Sequence, residues 1–411
     1  MKRTPELLAP AGNFEKLKTA LYFGADAVYL GGKNFSLRSF SDNFGKEELK
    51  EAVEYAHARG KKVYVTANIF AKNADFPALA DYFSYLQEIG ADAALVTDAG
   101  VLSVAKKAAP ELALHISTQA NTTNKYAAGF WREQGAERVV LARELSIAEV
   151  REIKDHCPAL ELEVFVHGAM CISYSGRCLL SNYLAGRDSN RGECVQACRW
   201  NWEMREKGKG GEYVTVTEDE RGTYVLNSKD LNMIDYIGNF VRAGVSSLKI
   251  EGRMKSEYYL ATVINAYRRA IDEYYKIGDA YAENPLFNSE LKKTCHRAFT
   301  TAYMLNPENA ETVNYKNSQS LGDAEFIAVV TAYDKYSGIA EIEMRNRFKA
   351  GETLEVLSPG ENFNKKIVMD GLKNDAGEEV TDAKLVQQKL YFKPPFKLNA
   401  GDMLRRETAA E

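Results

Sequence analysis

Eight short apolar runs, separated by amphipathic stretches at a period of about 30 residues, limit what this chain can fold into more than any other feature. The runs are Glu6–Ala9, Ala27–Gly31, Lys62–Asn68, Ala93–Asp98, Leu112–Thr118, Arg138–Glu144, Glu161–His167 and Ser247–Gly252. Each is rich in Val, Leu, Ile or Tyr and ends in a small or polar residue, the pattern of parallel strands buried on both faces. The stretches between them read as helices. Asn13 can cap the first, with Leu17, Ala20 and Leu21 then sharing one face. Ser146 and Glu149 have capping-box spacing. Asp75-Phe76-Pro77 puts a proline in a first turn. Gly24, Gly60, Gly90 and Gly135 stand where four helices should end. Eight such units predict an α/β fold of the closed (β/α)8 type. An open doubly wound sheet is the competitor, but Gly31–Gly32 lacks dinucleotide-fingerprint spacing and no early glycine-rich phosphate loop appears.

The period breaks after Gly168. Residues 169–223 form a cysteine-rich insertion after the seventh strand, on the side where barrels of this type carry chemistry. Residues 224–230 read as an extra strand or as loop. A long helix is expected over about Ser256–Ile277, with Tyr259, Val263, Ala266, Ala270 and Tyr274 at helical spacing. Near residue 324 the period becomes two: Ala340, Ile342 and Met344 alternate with Glu341 and Glu343, and Leu354 and Val356 with Thr353 and Glu355. Turn residues recur at Ser337–Gly338, Ala350–Gly351, Pro359–Gly360 and Ala400–Gly401. The expectation is a barrel over 1–320 and a small antiparallel β-barrel domain over 321–411.

A chain of 411 residues with 45% hydrophobic and 27% charged residues supports packed cores and argues against disorder. The net charge of -4 means that any nucleic-acid surface must be local. No apolar segment follows Lys2 and Arg3 as a secretory leader requires, and no apolar run approaches the length of a membrane span. A cytoplasmic protein is expected.

Four of the six cysteines fall in one window, spaced Cys171-x6-Cys178-x15-Cys194-x3-Cys198. In a reducing compartment such a cluster reads as a metal site before a disulfide set. Four thiolates complete a tetrahedral zinc or an iron–sulfur cluster. The gaps of six and three are loose for zinc and favour iron–sulfur. Buried structural thiols or a redox disulfide are the alternatives. Gly168, Gly176 and Gly192 would let backbone amides approach sulfur. Arg177, Arg187, Arg191 and Arg199 can offset thiolate charge or lie solvated on the surface. Cys157 and Cys295 read as structural.

The stretch from Glu163 to Cys171, Glu-Val-Phe-Val-His-Gly-Ala-Met-Cys, followed by Ser175-Gly-Arg-Cys-Leu-Leu-Ser181, resembles the signature of the U-thirty-two peptidase family, the collagenase-like peptidases. Glu6-Leu-Leu-Ala-Pro-Ala-Gly12, Gly24-Ala-Asp-Ala-Val-Tyr29, Phe35-Ser-Leu-Arg38, Asn227-Ser-Lys-Asp-Leu231, Ser247-Leu-Lys-Ile-Glu-Gly-Arg253 and Arg297-Ala-Phe-Thr-Thr-Ala-Tyr303 are similar to it as well. The likeness spans nearly the whole chain and is strongest to the branch that hydroxylates tRNA. It implies conversion of the wobble uridine to 5-hydroxyuridine, with prephenate as partner metabolite. It also implies a 4Fe-4S cluster on Cys171, Cys178, Cys194 and Cys198. Some ubiquinone-branch members place a ligand after Lys-Asp-Leu; Asn232 stands there in this chain, which speaks against that branch. Peptidase activity, and a non-catalytic iron–sulfur scaffold within a hydroxylase assembly, are the other readings. No His-Glu-x-x-His and no nucleophile elbow supports proteolysis.

Polar residues gather at the predicted strand ends, where such a barrel does its chemistry. Arg143 and Arg253 can clamp a dicarboxylate such as prephenate, with Asn68 and Gln119 beside them as further substrate-binding candidates. Glu144, Glu251 and His167 are the acid–base candidates. For each of these the competing reading is an internal contact, such as an Arg143–Glu251 ion pair. Arg187, Arg191, Arg199, Arg205, Lys207 and Lys209, interleaved with Trp200 and Trp202, suit an anticodon loop, or form a solvated loop covering the cluster.

Overall fold

The computed structural model describes residues 4–37, 42–171, 173–199, 218–219, 222–223, 228–307, 312 and 321–408. Arg38, Trp200, Trp202, Arg205, Lys207, Lys209 and residues 224–227 lie outside the described residues, as does much of the second half of the insertion.

Seven parallel strands follow in order: β1 (Glu6–Ala11), β2 (Ala27–Gly31), β3 (Lys62–Ala67), β4 (Ala93–Val96), β5 (Ala113–Ile116), β6 (Arg138–Val140) and β7 (Glu161–Ala169). After the insertion come β8 (Asp230–Asn232) and β9 (Ser247–Ile250). Strand β9 pairs in parallel with both β7 and β1, which closes an eight-stranded parallel barrel. The eight apolar runs are the eight barrel strands. Strand β8 is an addition: it runs antiparallel to the upper end of β7, opposing Asp230 to Ala169 and Asn232 to His167. The expected extra strand near 224–230 therefore starts at the last of those residues.

Local signals hold where the helices begin and end. Asn13 Oδ1 accepts from Lys16 N before the helix Phe14–Tyr22, and Ser146 with Glu149 closes a capping box before the helix Ile147–His156. Gly24, Gly60, Gly90 and Gly135 all take positive φ at the predicted helix ends. The long helix after the barrel is Glu257–Ile277, capped by Ser256. No helix of the described residues is long and apolar enough to cross a membrane.

The C-terminal region is an antiparallel half-barrel. Ala324–Asp334 lies between Ile339–Met344 and Met403–Glu407 within a six-stranded sheet, and Ala340, Ile342 and Met344 point into its own apolar core. A buried ion network fastens this sheet to the helix Pro285–Lys292. Arg405, fully buried, binds Glu290 at 2.6 Å and Glu355, and Lys293 binds Glu355 at 2.8 Å.

The interior of the barrel is ionic where layers of branched apolar side chains are usual. Glu163 on β7 is fully buried and meets Lys249 Nζ at 2.6 Å and Arg138 Nη1 at 3.1 Å. Arg138 also binds Glu6 at 2.7 Å and Glu161 at 2.6 Å, and Tyr64 Oη donates to Glu6 at 2.6 Å. Charges taken this far from water persist only when paired and hydrogen-bonded.

Candidate functional site at the barrel mouth

A cavity of about 380 Å³ opens at the C-terminal ends of the strands. Its floor is the inward side of the barrel: Tyr29 from β2, Thr66 from β3, Phe165 from β7 and Lys249 from β9. Its rim carries Asn68, Gln119, Arg143, Glu251 and Arg253, and its roof is the cysteine segment, with Cys171, Cys178, Cys194 and Cys198 all lining it. Sequence spacing thus named four sulfurs that the fold brings to one space. None of the six cysteines is in a disulfide. Cys157 is buried elsewhere and Cys295 is exposed.

The roof is docked by contacts made far along the chain. Arg191 grips the Asp75 carboxylate through both its Nη atoms, at 2.7 and 3.0 Å, and donates to Phe70 O. That ion pair holds the Asp75 carboxyl down to about 2. Arg177 Nε donates to Gln119 O at 2.8 Å, with its guanidinium over the Phe70 ring. Both arginines, expected near the thiolates as charge balance, are fasteners of the loop; Arg191 is thereby taken from the expected phosphate-binding set. Arg187 remains exposed. Glu144 has a similar duty. Its carboxylate accepts from Ser175 N at 2.7 Å and from Ser175 Oγ at 2.9 Å, pinning a residue held at φ +46°. Glu144 does not line the cavity and acts as an anchor of the cysteine segment.

Gly168, Gly176 and Gly192 take φ of +109°, +78° and +101°. At Gly168 a Cβ would sit 2.8 Å from Glu251 O, so only glycine allows β7 to turn beneath the rim. A backbone amide does reach a sulfur, but it is that of Leu180, 3.3 Å from Cys178 Sγ.

Among the described residues, no three His, Cys, Asp or Glu gather as ligands of a single metal ion would. Four undisulfided cysteines lining one cavity are nonetheless the donor set that a zinc ion or an iron–sulfur cluster takes.

The expected substrate residues Asn68, Gln119, Arg143 and Arg253 all reach the cavity wall. Arg253 enters because Gly31 has no side chain: a Cβ there would lie 2.3 Å from its Nη1. Its guanidinium donates to Ser36 Oγ at 2.8 Å and Thr66 Oγ1 at 3.0 Å. Arg143 donates to Ala169 O and lies over the Phe165 ring. Among the described residues, Arg143 and Glu251 form no ion pair, so the internal-contact alternative for that pair is not realised. Lys249 is the residue sequence reasoning passed over. Its ammonium is buried between Glu163 and the Tyr29 ring, 4.3 Å from the centroid, and burial lowers its pKa. A lysine in the middle of an otherwise apolar run was the available signal.

His167 is displaced from the expected role. It does not line the cavity; its ring packs among Tyr259, Tyr267 and Phe299. This burial pushes its imidazole down to about 3. An unfolded histidine titrates near 6.5, so between about pH 6.5 and pH 3 the unfolded chain binds the extra proton. Stability should fall as pH drops through that window, by at most about 1.4 kcal/mol per pH unit from this residue. His167→Phe is expected to flatten that slope in urea titrations at successive pH values. An unchanged slope would assign the acid sensitivity to other groups.

A parallel barrel whose mouth is roofed by a segment carrying four cysteines sets those cysteines beside one cavity, the arrangement expected of a barrel enzyme. The chain belongs to peptidase family U32: the model of that family matches residues 12–314, and that of the Peptidase family U32 C-terminal domain matches residues 323–405. Among curated proteins it is 40% identical over 405 residues to tRNA hydroxylation protein P1 of Bacillus subtilis (strain 168), covering 98% of this chain and 95% of the relative. It is 36% identical over 418 residues to tRNA hydroxylation protein P of Escherichia coli (strain K12), covering 91% and 90%. It is 30% identical over 370 residues to a protein named Collagenase from Porphyromonas gingivalis (strain ATCC BAA-308 / W83), covering 86% of each.

Proposed function

We propose that this chain hydroxylates the wobble uridine of tRNA to 5-hydroxyuridine, with prephenate as co-substrate. The observation that carries the reading is the shared cavity, lined by four cysteines and by four cationic residues, Arg143, Lys249, Arg253 and Lys255. Cys171, Cys178, Cys194 and Cys198 would hold a 4Fe-4S cluster, which supplies electron transfer when bound. The chain's own residues provide the rest. Arg143 and Arg253 offer planar donors to carboxylates, and Lys249 adds a point charge at the floor. Glu251, at the rim, is the remaining acid–base candidate facing the cavity. The apolar wall of Leu37, Leu95 and Met170 excludes water around a bound ring.

Proteolysis has less support. No histidine lines the cavity, so a serine or cysteine nucleophile there has no imidazole base. Deleting the gene and analysing tRNA nucleosides separates the readings. Loss of 5-hydroxyuridine and its derivatives is expected, with restoration by the wild-type gene; an unchanged nucleoside profile would remove the hydroxylase reading.

A further inference from the structure

Donors at the barrel mouth divide into those the fold consumes and those it leaves over. Arg253 Nη1 donates to both Ser36 Oγ and Thr66 Oγ1, at 2.8 and 3.0 Å. Asn68 Nδ2 donates to Ser117 Oγ at 3.4 Å, and its Oδ1 accepts from Leu37 N at 3.3 Å. Arg143 and Gln119 differ. Arg143 gives Nη1 to Ala169 O at 3.1 Å, while its Nη2 makes no hydrogen bond among the described residues. Gln119 is held by its backbone: the carbonyl accepts from Arg177 Nε at 2.8 Å and the amide donates to Ser117 Oγ at 3.3 Å. Its side-chain Oε1 is turned into the protein and sealed from solvent, whereas Nε2 is not sealed and makes no hydrogen bond among the described residues. Both side chains belong to the cavity wall.

Gly176 marks where the two leftover donors meet. A Cβ built there would lie 3.3 Å from Gln119 Nε2 and 3.7 Å from Arg143 Nη2. Glycine keeps that place clear, and its φ of +78° would strain any other residue. An amide N–H beside a guanidinium N–H matches a pair of acceptor oxygens. The surroundings select acceptors that carry charge: the lining holds Arg143, Lys249, Arg253 and Lys255 against one carboxylate, Glu251. Glu144 has both its oxygens taken by Ser175.

We propose that Gln119 Nε2 and Arg143 Nη2 together seat one carboxylate of the co-substrate, with one oxygen on each donor. The inference rests on the co-substrate reading above and adds which groups orient the acid, leaving Arg253 to the second carboxylate of a dicarboxylate. The amide adds direction without adding charge. It thereby fixes the plane of the bound carboxylate, which a point charge alone does not.

Isothermal titration calorimetry of the full chain, handled anaerobically, with prephenate as titrant tests this. Gln119→Ala is expected to weaken binding about ten-fold, the loss of one hydrogen bond to a charged group. Gln119→Glu, nearly the same in shape, is expected to weaken it about a hundred-fold or more, because it sets one carboxylate against another. Affinity within error of the wild type in either variant would overturn the seat. A structure of the wild-type chain with prephenate bound needs no variant to fold. Carboxylate oxygens within hydrogen-bond distance of Nε2 and Nη2 support the seat, and carboxylates placed elsewhere overturn it. Absence of binding by the wild-type chain would instead remove prephenate as co-substrate, and the seat with it.

Discussion

Replacing Cys178 with alanine is expected to lower 5-hydroxyuridine in tRNA by more than about a hundred-fold when the variant is the only copy in the cell. On the cluster proposed above, the purified variant should also carry less iron than the wild type. The prediction is sharp because the backbone at Cys178 is held without the sulfur. Its carbonyl accepts from Asn190 Nδ2 at 2.9 Å and from Ser189 Oγ, and its amide donates to Asn190 Oδ1 at 3.3 Å. The roof should therefore stay folded while one thiolate goes missing. Cys171, Cys194 and Cys198 should behave alike, since all four cysteines line the same cavity. Cys295→Ala is the control: that residue is exposed and outside the cavity, and its loss should leave modification intact. Full modification by Cys178→Ala, measured by nucleoside analysis, would defeat the metal-centre reading.

Glu163→Ala should be the most destabilising substitution in the barrel, costing about 3–5 kcal/mol. The carboxylate is fully buried and serves Lys249 at 2.6 Å and Arg138 at 3.1 Å. Removing it leaves Lys249 uncompensated, because Arg138 keeps Glu6 and Glu161 while Lys249 has no second carboxylate among its described ion pairs. Burial already lowers the Lys249 pKa, so without Glu163 the lysine should shed its proton. The cationic floor of the cavity would then weaken along with the fold. Urea unfolding of the wild type, Glu163→Ala and the double variant Glu163→Ala with Lys249→Met measures both parts. The double variant should recover part of the loss, because it no longer buries an amine without its partner. A Glu163→Ala midpoint within error of the wild type would show that solvent or another group satisfies Lys249.

The barrel strands, the helix caps and the four cysteines were readable in the chain itself because each depends on residues close in sequence. A continuous apolar run, a capping side chain three positions from its partner, or a glycine at a helix end acts within one or two turns of backbone. The roles of the polar residues at strand ends were not readable in this way. Glu144 was a plausible acid or base until Ser175 took both its oxygens; Arg191 was a plausible phosphate contact until Asp75, 116 positions away, claimed it. His167 ends a strand as expected, yet β8 runs antiparallel beside it and the aromatic rings of Tyr259, Tyr267 and Phe299 surround it.

The sequence alone determined that parallel strands would close around a common axis and that four thiols would stand on one excursion from it, since hydrophobic period and residue type are local properties. Only the tertiary structure decided which charges became an ionic barrel core and which arginines fastened the roof. Those outcomes depend on the register of strands that meet only when the barrel closes, and on burial, which turns an ordinary polar group into one that must find a partner.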